Sequence, residues 1–308
     1  MPADPGGGSA NRGSARLPHL QKHGTANQLI VDSKPYLALA AELNNSSASS
    51  LEYTRPLWPR LSATNINTVL ATVSWELLEP EEGRFNFGLV DGLIQDARRH
   101  NLRLVFLWFG IWKNGKSTYQ PLWVKTNPER FPPARDRQGK SLPIMTPLSD
   151  ANRDADARAL AALMRHIPEV DGGVHTVLMM QVENEVGILD DSRGRSPAVN
   201  QAFAGPVPKE LTEHLQKHKS ALIPELRKRW ETAGARTSGT WEEMFGAEPE
   251  TNEQFMAWSY ARSIGRIAAA GKAEHPLPMF VNAWLRQSND QKPGGYPSGG
   301  PLPNVMDA

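Results

Sequence analysis

The segment 177–185 carries the residues best suited to acid–base chemistry. It is an apolar run, VLMMQVENE, that ends in two carboxylates and an amide, Glu183, Asn184 and Glu185. Burial penalises a charged group unless a partner or a reaction compensates for it, and in parallel α/β barrels the carboxyl ends of the strands carry the chemistry. The pattern therefore indicates an active-site carboxylate that gives or takes a proton. The competing interpretation is that one or both acids form structural ion pairs.

Strand geometry limits which of these side chains can act on one substrate. On plain alternation Glu183 and Glu185 face the same side of a strand and Asn184 faces the other. Asn184 and Glu185 therefore reach the same substrate only if the strand bends or ends between them.

Further polar and aromatic residues stand at the ends of other apolar runs. Glu42 and Asn44 end one run, and Glu76 and Glu79 follow the next. Hydrolysis of a glycoside uses two carboxyl groups that flank one bond, and aromatic faces stack well on sugar rings. Four tryptophans at or just past run ends are candidates for such stacking, although core packing explains each of them equally well: Trp75, Trp108, Trp112 and Trp284.

These residues need a parallel sheet to bring them to one edge. Near-continuous apolar runs predict five strands, at Tyr36–Leu43, Thr68–Trp75, Leu102–Phe109, Thr176–Glu183 and Pro278–Leu285. Helical periodicity predicts intervening helices at Val90–Ala97, at Asp154–Ile167 with Pro168 as the stop, and at Glu253–Ala270. Strands that alternate with helices in this way favour an α/β fold built from βαβ units.

Composition narrows the possible classes of protein. The 308 residues have a formal charge of +1 and no long basic run, which argues against nucleic acid or an anionic membrane as partner. The Gly- and Pro-rich start predicts a disordered tail over residues 1–18, and residues 19–308 form one catalytic domain. Two long insertions, 110–150 and 187–246, follow strand ends and should overhang the carboxyl edge of the sheet, with further helix around 208–230. No apolar run is long enough for a membrane span.

Other chemistries find no candidate residues. The chain has no Cys, which excludes disulfides, thiolate nucleophiles and Cys-based zinc sites, and no Gly-x-Ser-x-Gly elbow. His214 and His218 stand four apart, but Leu215 occupies the position where a metalloprotease helix has Glu. A solvated helix face explains the two histidines better.

Three motifs together resemble glycoside hydrolase family 35, whose members are mainly retaining β-galactosidases on a TIM barrel. They are AELNNSS after the first strand, SWELLEPEEGRFNF after the second and QVENEVG after the fourth, and the resemblance extends from about His19 to the end of the chain. The family signature reads Gln-x-Glu-Asn-Glu followed by an aromatic residue, where this chain has Val186. Many relatives carry Asn-Ala-Glu after the third strand, where this chain has the Trp-rich loop LWFGIWKNG.

The resemblance implies a role for each matching residue. Glu185 would be the general acid/base, Asn184 would bind the sugar 2-hydroxyl, and Glu183 would shape the strand end. The nucleophile would be a Glu at the end of a seventh strand. The fold expected from the resemblance is a (β/α)8 TIM barrel that stops after about its fifth strand, so the nucleophile should lie beyond residue 308.

Several readings of the function stay open at this point. The resemblance implies hydrolysis of terminal β-galactose from oligosaccharides, with no cofactor and no metal. Another exo-β-glycosidase of the same barrel group, for β-glucose or β-arabinose, and a non-catalytic carbohydrate-binding or degenerate barrel protein are the alternatives. Related enzymes usually act outside the cytoplasm, which favours the periplasm or secretion, although no signal peptide is visible in residues 1–16.

Overall fold

A computed structural model of the chain describes residues 16–247, 249–286, 288 and 291–300. Most of the predicted tail therefore lies outside the described residues. The described strands are β1 His19–His23, β2 Ala26–Val31, β3 Lys34–Pro35, β4 Ala40–Glu42, β5 Thr68–Ser74, β6 Arg103–Lys113, β7 Pro133–Arg135, β8 Ser141–Met145, β9 Val177–Asn184 and β10 Met279–Asn282. The helices are α1 Leu51–Thr54, α2 Leu57–Ser62, α3 Trp75–Leu78, α4 Gly88–Arg99, α5 Leu122–Lys125, α6 Asp150–Asp171, α7 Pro197–Ala204, α8 Lys209–Lys217, α9 Pro224–Thr232, α10 Trp241–Phe245 and α11 Glu250–Glu274.

A five-stranded parallel sheet forms the centre of the fold. Its strand order is β10-β9-β6-β5-β4, and every neighbouring pair is parallel. These are the five predicted strands, and consecutive strands of the sheet are neighbours in space with helices between them, as in a (β/α)8 TIM barrel. The predicted fold class is thus confirmed. The first strand is much shorter than predicted, since residues 36–39 are coil and only Ala40–Glu42 pair with β5.

The helices begin and end at caps that the apolar periodicity does not show. Helix α6 begins after Ser149, whose hydroxyl accepts from the Asn152 N–H, so the predicted start at Asp154 is four residues late. The predicted stop at Pro168 is also wrong. A proline in the last turn removes only one backbone hydrogen bond, and the helix runs on to Gly172, which adopts a φ of 52° and donates to the Pro168 carbonyl.

The two faces of the sheet are packed differently. Even-numbered residues of β6 point toward the helices and join the main hydrophobic core, which extends through α4, α6 and α11; they are Leu104, Phe106 and Trp108. Odd-numbered residues point to the opposite, concave face and form a smaller cluster with neighbours from the adjacent strands: Val105, Leu107, Phe109, Leu70, Met179 and Phe280. Both faces of β6 are therefore apolar, which accounts for its unbroken hydrophobic sequence.

Two small antiparallel sheets were not predicted. Strands β1, β2 and β3 form one near the start of the chain, and β7 and β8 form the other within the first insertion. The first sheet contacts the amino-terminal ends of the central strands through Asp32, which accepts hydrogen bonds from Arg103 (2.9 Å) and from the His175 ring (2.8 Å). Their strands are only two to six residues long, so they lack the long apolar runs by which the central strands are recognised.

Within the described ranges, no helix is both long enough and apolar enough to cross a membrane.

Candidate active site

The residues predicted to do chemistry lie at the carboxyl edge of the sheet, where β9 ends between β6 and β10. Strand β9 ends at Asn184, and Glu185 follows directly. The Glu185 N–H donates to the Asn282 carbonyl at the end of β10 (2.8 Å), and the Glu185 carbonyl accepts from Gly115 after β6 (2.8 Å). The backbone of Glu185 is thus held on both sides, and its side chain is partly exposed.

The end of β9 bends through two residues in the left-handed region. Glu183 has a φ of 60° and Glu185 a φ of 49°, conformations that cost a non-glycine residue roughly 1–2 kcal/mol each. Such strain persists only where surrounding contacts fix it, and it is concentrated at functional sites. The bend breaks the regular alternation of the strand, which is the condition for Asn184 and Glu185 to reach the same substrate.

Lys113 lies at the end of β6, close enough to Glu185 for the charge of that carboxylate to act on its pKa. Its ammonium group donates to the Asn184 side-chain oxygen and lies 4.5 Å from the centre of the Phe109 ring. Burial lowers the pKa of Lys113, while the nearby carboxylates of Glu185 and Glu42 act in the opposite direction. The site therefore combines a half-buried cation with two carboxylates and an amide.

Glu183 is fully buried and turned away from this exposed edge. One of its oxygens accepts from the Trp112 N–H (2.8 Å) and the other from the Ile111 N–H (3.1 Å). The buried carboxyl of Asp156 in α6 lies beside it, and burial together with the Asp156 charge raises the pKa of Glu183 well above its ordinary value. The Glu183 carboxylate is therefore hydrogen bonded to the backbone of β6.

The remaining predicted residues are divided between the edge and the core. Glu42 and Asn44 are exposed at the end of β4, and Asn44 opens onto a polar surface pocket that it shares with Asn45, Ser46, Ser47 and Tyr53. Trp284 follows β10 at the same edge and is partly exposed, with its indole N–H unpartnered. These three residues remain candidates for contact with a sugar.

Sugar stacking by Trp75, Trp108 and Trp112 is not compatible with their positions. Each is at most 1% exposed and packs in the main core. Their indole N–H groups donate to internal acceptors, at 2.7 Å to Glu79, 2.8 Å to Asp156 and 3.0 Å to the Met145 carbonyl, respectively. Trp108 and Trp112 occupy helix-facing positions of β6 and Trp75 begins α3, so all three serve the core and not the edge of the sheet.

Two residues of this region were missed by the sequence analysis. Lys113 stands in the loop-like motif LWFGIWKNG, and a lysine after an apolar strand gives no signal by itself because most lysines are solvated. Asp156 lies on the buried face of α6, between Ala155 and Ala157. A charged residue at an apolar position of a helix was the available signal for it.

Comparison with known proteins relates this geometry to enzymes that hydrolyse sugars. The chain is 26% identical over 171 residues to a β-galactosidase of Xanthomonas manihotis, a stretch that covers 53% of this chain and 26% of that protein. Among solved structures it resembles a β-galactosidase of the haloarchaeon Halorubrum lacusprofundi, with a TM-score of 0.54, 17% identity, and coverage of 83% of this chain and 37% of that one. It also resembles the catalytic domain of a β-amylase of Paenibacillus polymyxa, with a TM-score of 0.51, 11% identity, and coverage of 85% and 70%.

The chain spans about a quarter to two fifths of the length of the β-galactosidases it matches. The family model that matches is the β-galactosidase model of glycoside hydrolase family 42, over residues 58–261, which is more than half of the chain. The prediction of a β-galactosidase family is confirmed, and the assignment to family 35 is wrong. Two of the three motifs, around the second strand and around Glu185, lie within the matched range. This chain belongs to the β-galactosidase family 42 of the glycoside hydrolases.

Proposed function

We propose that the chain contributes the acid/base half of a retaining β-galactosidase site, with Glu185 as the acid/base and Asn184 as the residue that binds the sugar 2-hydroxyl. The observation that carries the proposal is the contrast between the two acids at the end of β9. Glu185 is partly exposed at the carboxyl edge, whereas Glu183 is fully buried and hydrogen bonded to backbone. A carboxyl group must reach solvent and substrate to transfer a proton, so Glu185 is the acid that fits the role.

The proposed reaction has two steps. In the first, the Glu185 carboxyl donates its proton to the glycosidic oxygen as the bond to the sugar breaks, and a second carboxylate forms a covalent bond to the anomeric carbon. In the second, the Glu185 carboxylate takes a proton from water as the water oxygen attacks the anomeric carbon. The bond to the second carboxylate breaks and galactose is released. Retention needs the two carboxyl groups about 5–5.5 Å apart. We nominate no residue of this chain for the second carboxylate.

Asn184 is preorganised for its part by Lys113. The Lys113 ammonium donates a hydrogen bond to the Asn184 side-chain oxygen. The amide N–H groups of Asn184 therefore remain as donors toward a hydroxyl oxygen. Asn184 is only 2% exposed, so a ligand contacts it from the partly open side occupied by Glu185 and Lys113. Fixing the amide before the ligand arrives reduces the entropy lost on binding.

The test compares Glu185→Gln with Glu52→Gln, an exposed glutamate in α1, in the 308-residue chain and in a version continued through three further strand–helix units. Binding of a thio-β-galactoside is measured by calorimetry, and turnover by release of nitrophenol from nitrophenyl β-galactoside. We expect binding in both lengths, and in the longer protein a loss of turnover of about 10²–10⁴-fold for Glu185→Gln, the usual contribution of a general acid. The Glu185→Gln variant should still bind the thio-β-galactoside.

Two further measurements isolate the acid role of Glu185. A dinitrophenyl leaving group needs little protonation, so Glu185→Gln should retain much more activity on the dinitrophenyl galactoside than on the methoxyphenyl galactoside. Parallel assays with β-glucoside and β-arabinoside substrates test which sugar is hydrolysed. Turnover unchanged by Glu185→Gln, or equal losses on both leaving groups, would contradict the assignment of Glu185.

A further inference from the structure

We propose that Asp156 and Glu183 are a proton-sharing carboxyl pair whose function is to position Glu185, the acid of the proposed function on which this inference rests. Neither residue touches the exposed edge of the sheet, so both act through the backbone. The pair joins three elements: helix α6, the end of β6 and the end of β9.

The geometry brings the two carboxyl groups onto one backbone donor. The Ile111 N–H donates to Asp156 Oδ2 at 2.8 Å and to Glu183 Oε1 at 3.1 Å. The other oxygens are also occupied, Asp156 Oδ1 by the Trp108 indole at 2.8 Å and Glu183 Oε2 by the Trp112 N–H at 2.8 Å. Both side chains are buried, at 0% and 1% exposure.

Space for the pair is provided by Gly110. A methyl group on Gly110 would lie 2.5 Å from Glu183 Oε1 and closer still to Asp156 Oδ2, so both oxygens border the space that a side chain would fill. Two ionised carboxylates cannot share such a buried site, since each would face both desolvation and the charge of the other. One proton between the two groups gives each a hydrogen-bond partner and halves the buried charge.

Among the described residues, no cation acts on the pKa of either carboxyl. The groups that act on the pKa of either carboxyl are the other carboxyl, the Trp108 indole, and the backbone N–H groups of Ile111 and Trp112. Desolvation is the largest cause and raises the pKa of both acids. The folded chain therefore retains a proton that the unfolded chain, with ordinary pKa values of 3.8 and 4.5, has lost at neutral pH.

The link to Glu185 is the interruption of the β6–β9 ladder. Trp108 pairs with Val182, but the next pairing is Lys113 with Asn184, so β6 advances five residues while β9 advances two. Across this bulge the Glu183 carboxyl takes the place of backbone acceptors for Ile111 and Trp112. Beyond it, regular contacts resume, with Asn114 donating to the Asn184 carbonyl (3.1 Å) and Gly115 to that of Glu185 (2.8 Å).

The pair therefore sets the register of the segment that presents Asn184 and Glu185. It also accounts for the left-handed backbone at Glu183, because the carboxyl reaches the bulge and α6 only when the strand turns there. Loss of the pair should shift the Glu185 side chain even though Asp156 lies on a different element from it.

The first arm of the test measures the proton. Unfolding by urea is followed between pH 5 and pH 8 for the unsubstituted chain, Glu183→Gln and the control Glu52→Gln. In the unsubstituted chain the pair alone should raise the unfolding constant by up to tenfold per pH unit, because the unfolded chain releases a proton that the folded chain keeps. In Glu183→Gln the introduced amide donates to Asp156 in place of the shared proton. The unfolding constant of that variant should therefore rise less steeply with pH, by up to tenfold less per pH unit. Glu52→Gln should parallel the unsubstituted chain.

The second arm measures the position of Glu185 without any assay of activity. The carboxyl-carbon NMR signal of Glu185 is assigned by its loss in Glu185→Gln and followed at pH 7. It should be displaced in Asp156→Ala and restored toward its original position in Asp156→Asn, which keeps a hydrogen-bonding group. If Asp156→Ala does not fold, Trp108→Phe removes one donor and leaves both carboxyl groups, and it should displace the signal by a smaller amount.

The outcomes distinguish the pair from the function. Parallel pH slopes for Glu183→Gln and the unsubstituted chain would overturn the shared proton, and an unchanged Glu185 signal in Asp156→Ala or Trp108→Phe would overturn the positioning role. If both arms succeed while Glu185→Gln leaves galactoside turnover unchanged, the proposed function fails and the pair remains as a device of the fold.

Discussion

The ammonium group of Lys113 donates a hydrogen bond to the side-chain oxygen of Asn184, which joins the last residue of β6 to the last residue of β9. The same lysine lies against the Phe109 ring and is half-buried. It thus connects the concave face of the sheet to the edge that holds Glu185, and it fixes the amide that we propose binds the sugar.

Substitution of Lys113 should separate ligand binding from stability. Lys113→Met keeps the apolar stem over Phe109 and removes a charge whose burial is unfavourable, so we expect the free energy of unfolding to change by less than about 1 kcal/mol. Affinity for a thio-β-galactoside should fall about tenfold, since an unfixed amide loses the advantage of preorganisation. Urea unfolding and calorimetry measure the two effects. The exposed neighbour Lys116→Met is the control, and a large loss of stability in Lys113→Met with unchanged affinity would contradict this role.

Gly110 should not tolerate a side chain. Gly110→Ala places a methyl group 2.5 Å from Glu183 Oε1, and we expect it to destabilise the fold by roughly 3 kcal/mol through overpacking. Gly265→Ala, in the interior of α11 with no atom within 4 Å of the added methyl, should instead stabilise by up to about 1 kcal/mol from helix propensity. Thermal or urea unfolding of the two variants checks the contrast, and equal stabilities would show that the carboxyl pair has room to relax.

Glu253 should make the stability depend on pH. Burial raises its pKa from 4.5 to about 8, and its Oε2 accepts from the Gly299 N–H at 2.7 Å. An acid with a raised folded pKa contributes stability that is fully present below its unfolded pKa and is lost as the pH rises through the folded value. From this group alone we expect the unfolding constant to rise by up to tenfold per pH unit between about 4.5 and 8.

Glu253→Gln is the test of that pH dependence, because its amide oxygen can still accept from Gly299 while the ionisable group is absent. Its unfolding constant should show a smaller pH slope than that of the unsubstituted chain, measured by urea unfolding at pH 5, 6, 7 and 8. Glu52→Gln, an exposed glutamate in α1, is the control. Identical slopes for Glu253→Gln and the unsubstituted chain would show that Glu253 is ionised in the folded state.

The tryptophans at the strand ends should fall into two classes. Trp112→Phe removes a hydrogen bond to the Met145 carbonyl and alters the packing on Tyr260, so we expect a loss of about 2 kcal/mol in stability and unchanged affinity for a galactoside. Trp284→Ala should weaken affinity about fivefold, the value of one stacking contact, and change stability by about 1 kcal/mol or less. Calorimetry measures the galactoside affinity of both variants, and urea unfolding measures their stability. Weaker galactoside binding by Trp112→Phe would show that Trp112 stacks on the sugar after all.

The sequence predicts the centre of the sheet because its inner strands, β5, β6 and β9, are buried on both faces. A strand such as Arg103–Lys113 is apolar at every interior position, and this unbroken pattern is strong. The strand over Ala40–Glu42 is short because it is at the edge of the sheet, and pairing, which is a long-range property, decides its length. The polar strand His19–His23 gave no period to detect, and Ser141–Met145 is only five residues long and is interrupted by Pro143.

The candidate site could be predicted only in part, for a similar reason. The acids at the end of β9 follow an apolar run, so their position in sequence predicts their position at the edge. Which of them is exposed depends on a backbone bend and on Asp156, which is 27 residues earlier in the chain and meets Glu183 only in the folded protein. The strand-end tryptophans were assigned to the edge because sequence places them at strand ends but does not fix which way the side chain points.

The contacts of Asp32 have a consequence for the order in which the protein folds. The β1–β2 hairpin closes through near neighbours in the sequence. By contrast, the hydrogen bond between Asp32, just after β2, and the His175 ring spans 143 residues. The central strands must already be adjacent for that bond to form. Long-range closures cost more chain entropy than local ones and therefore follow them in time. The amino-terminal hairpin is thus expected to fold early and dock late, which makes its docking a kinetic checkpoint at the end of the sheet opposite to Glu185.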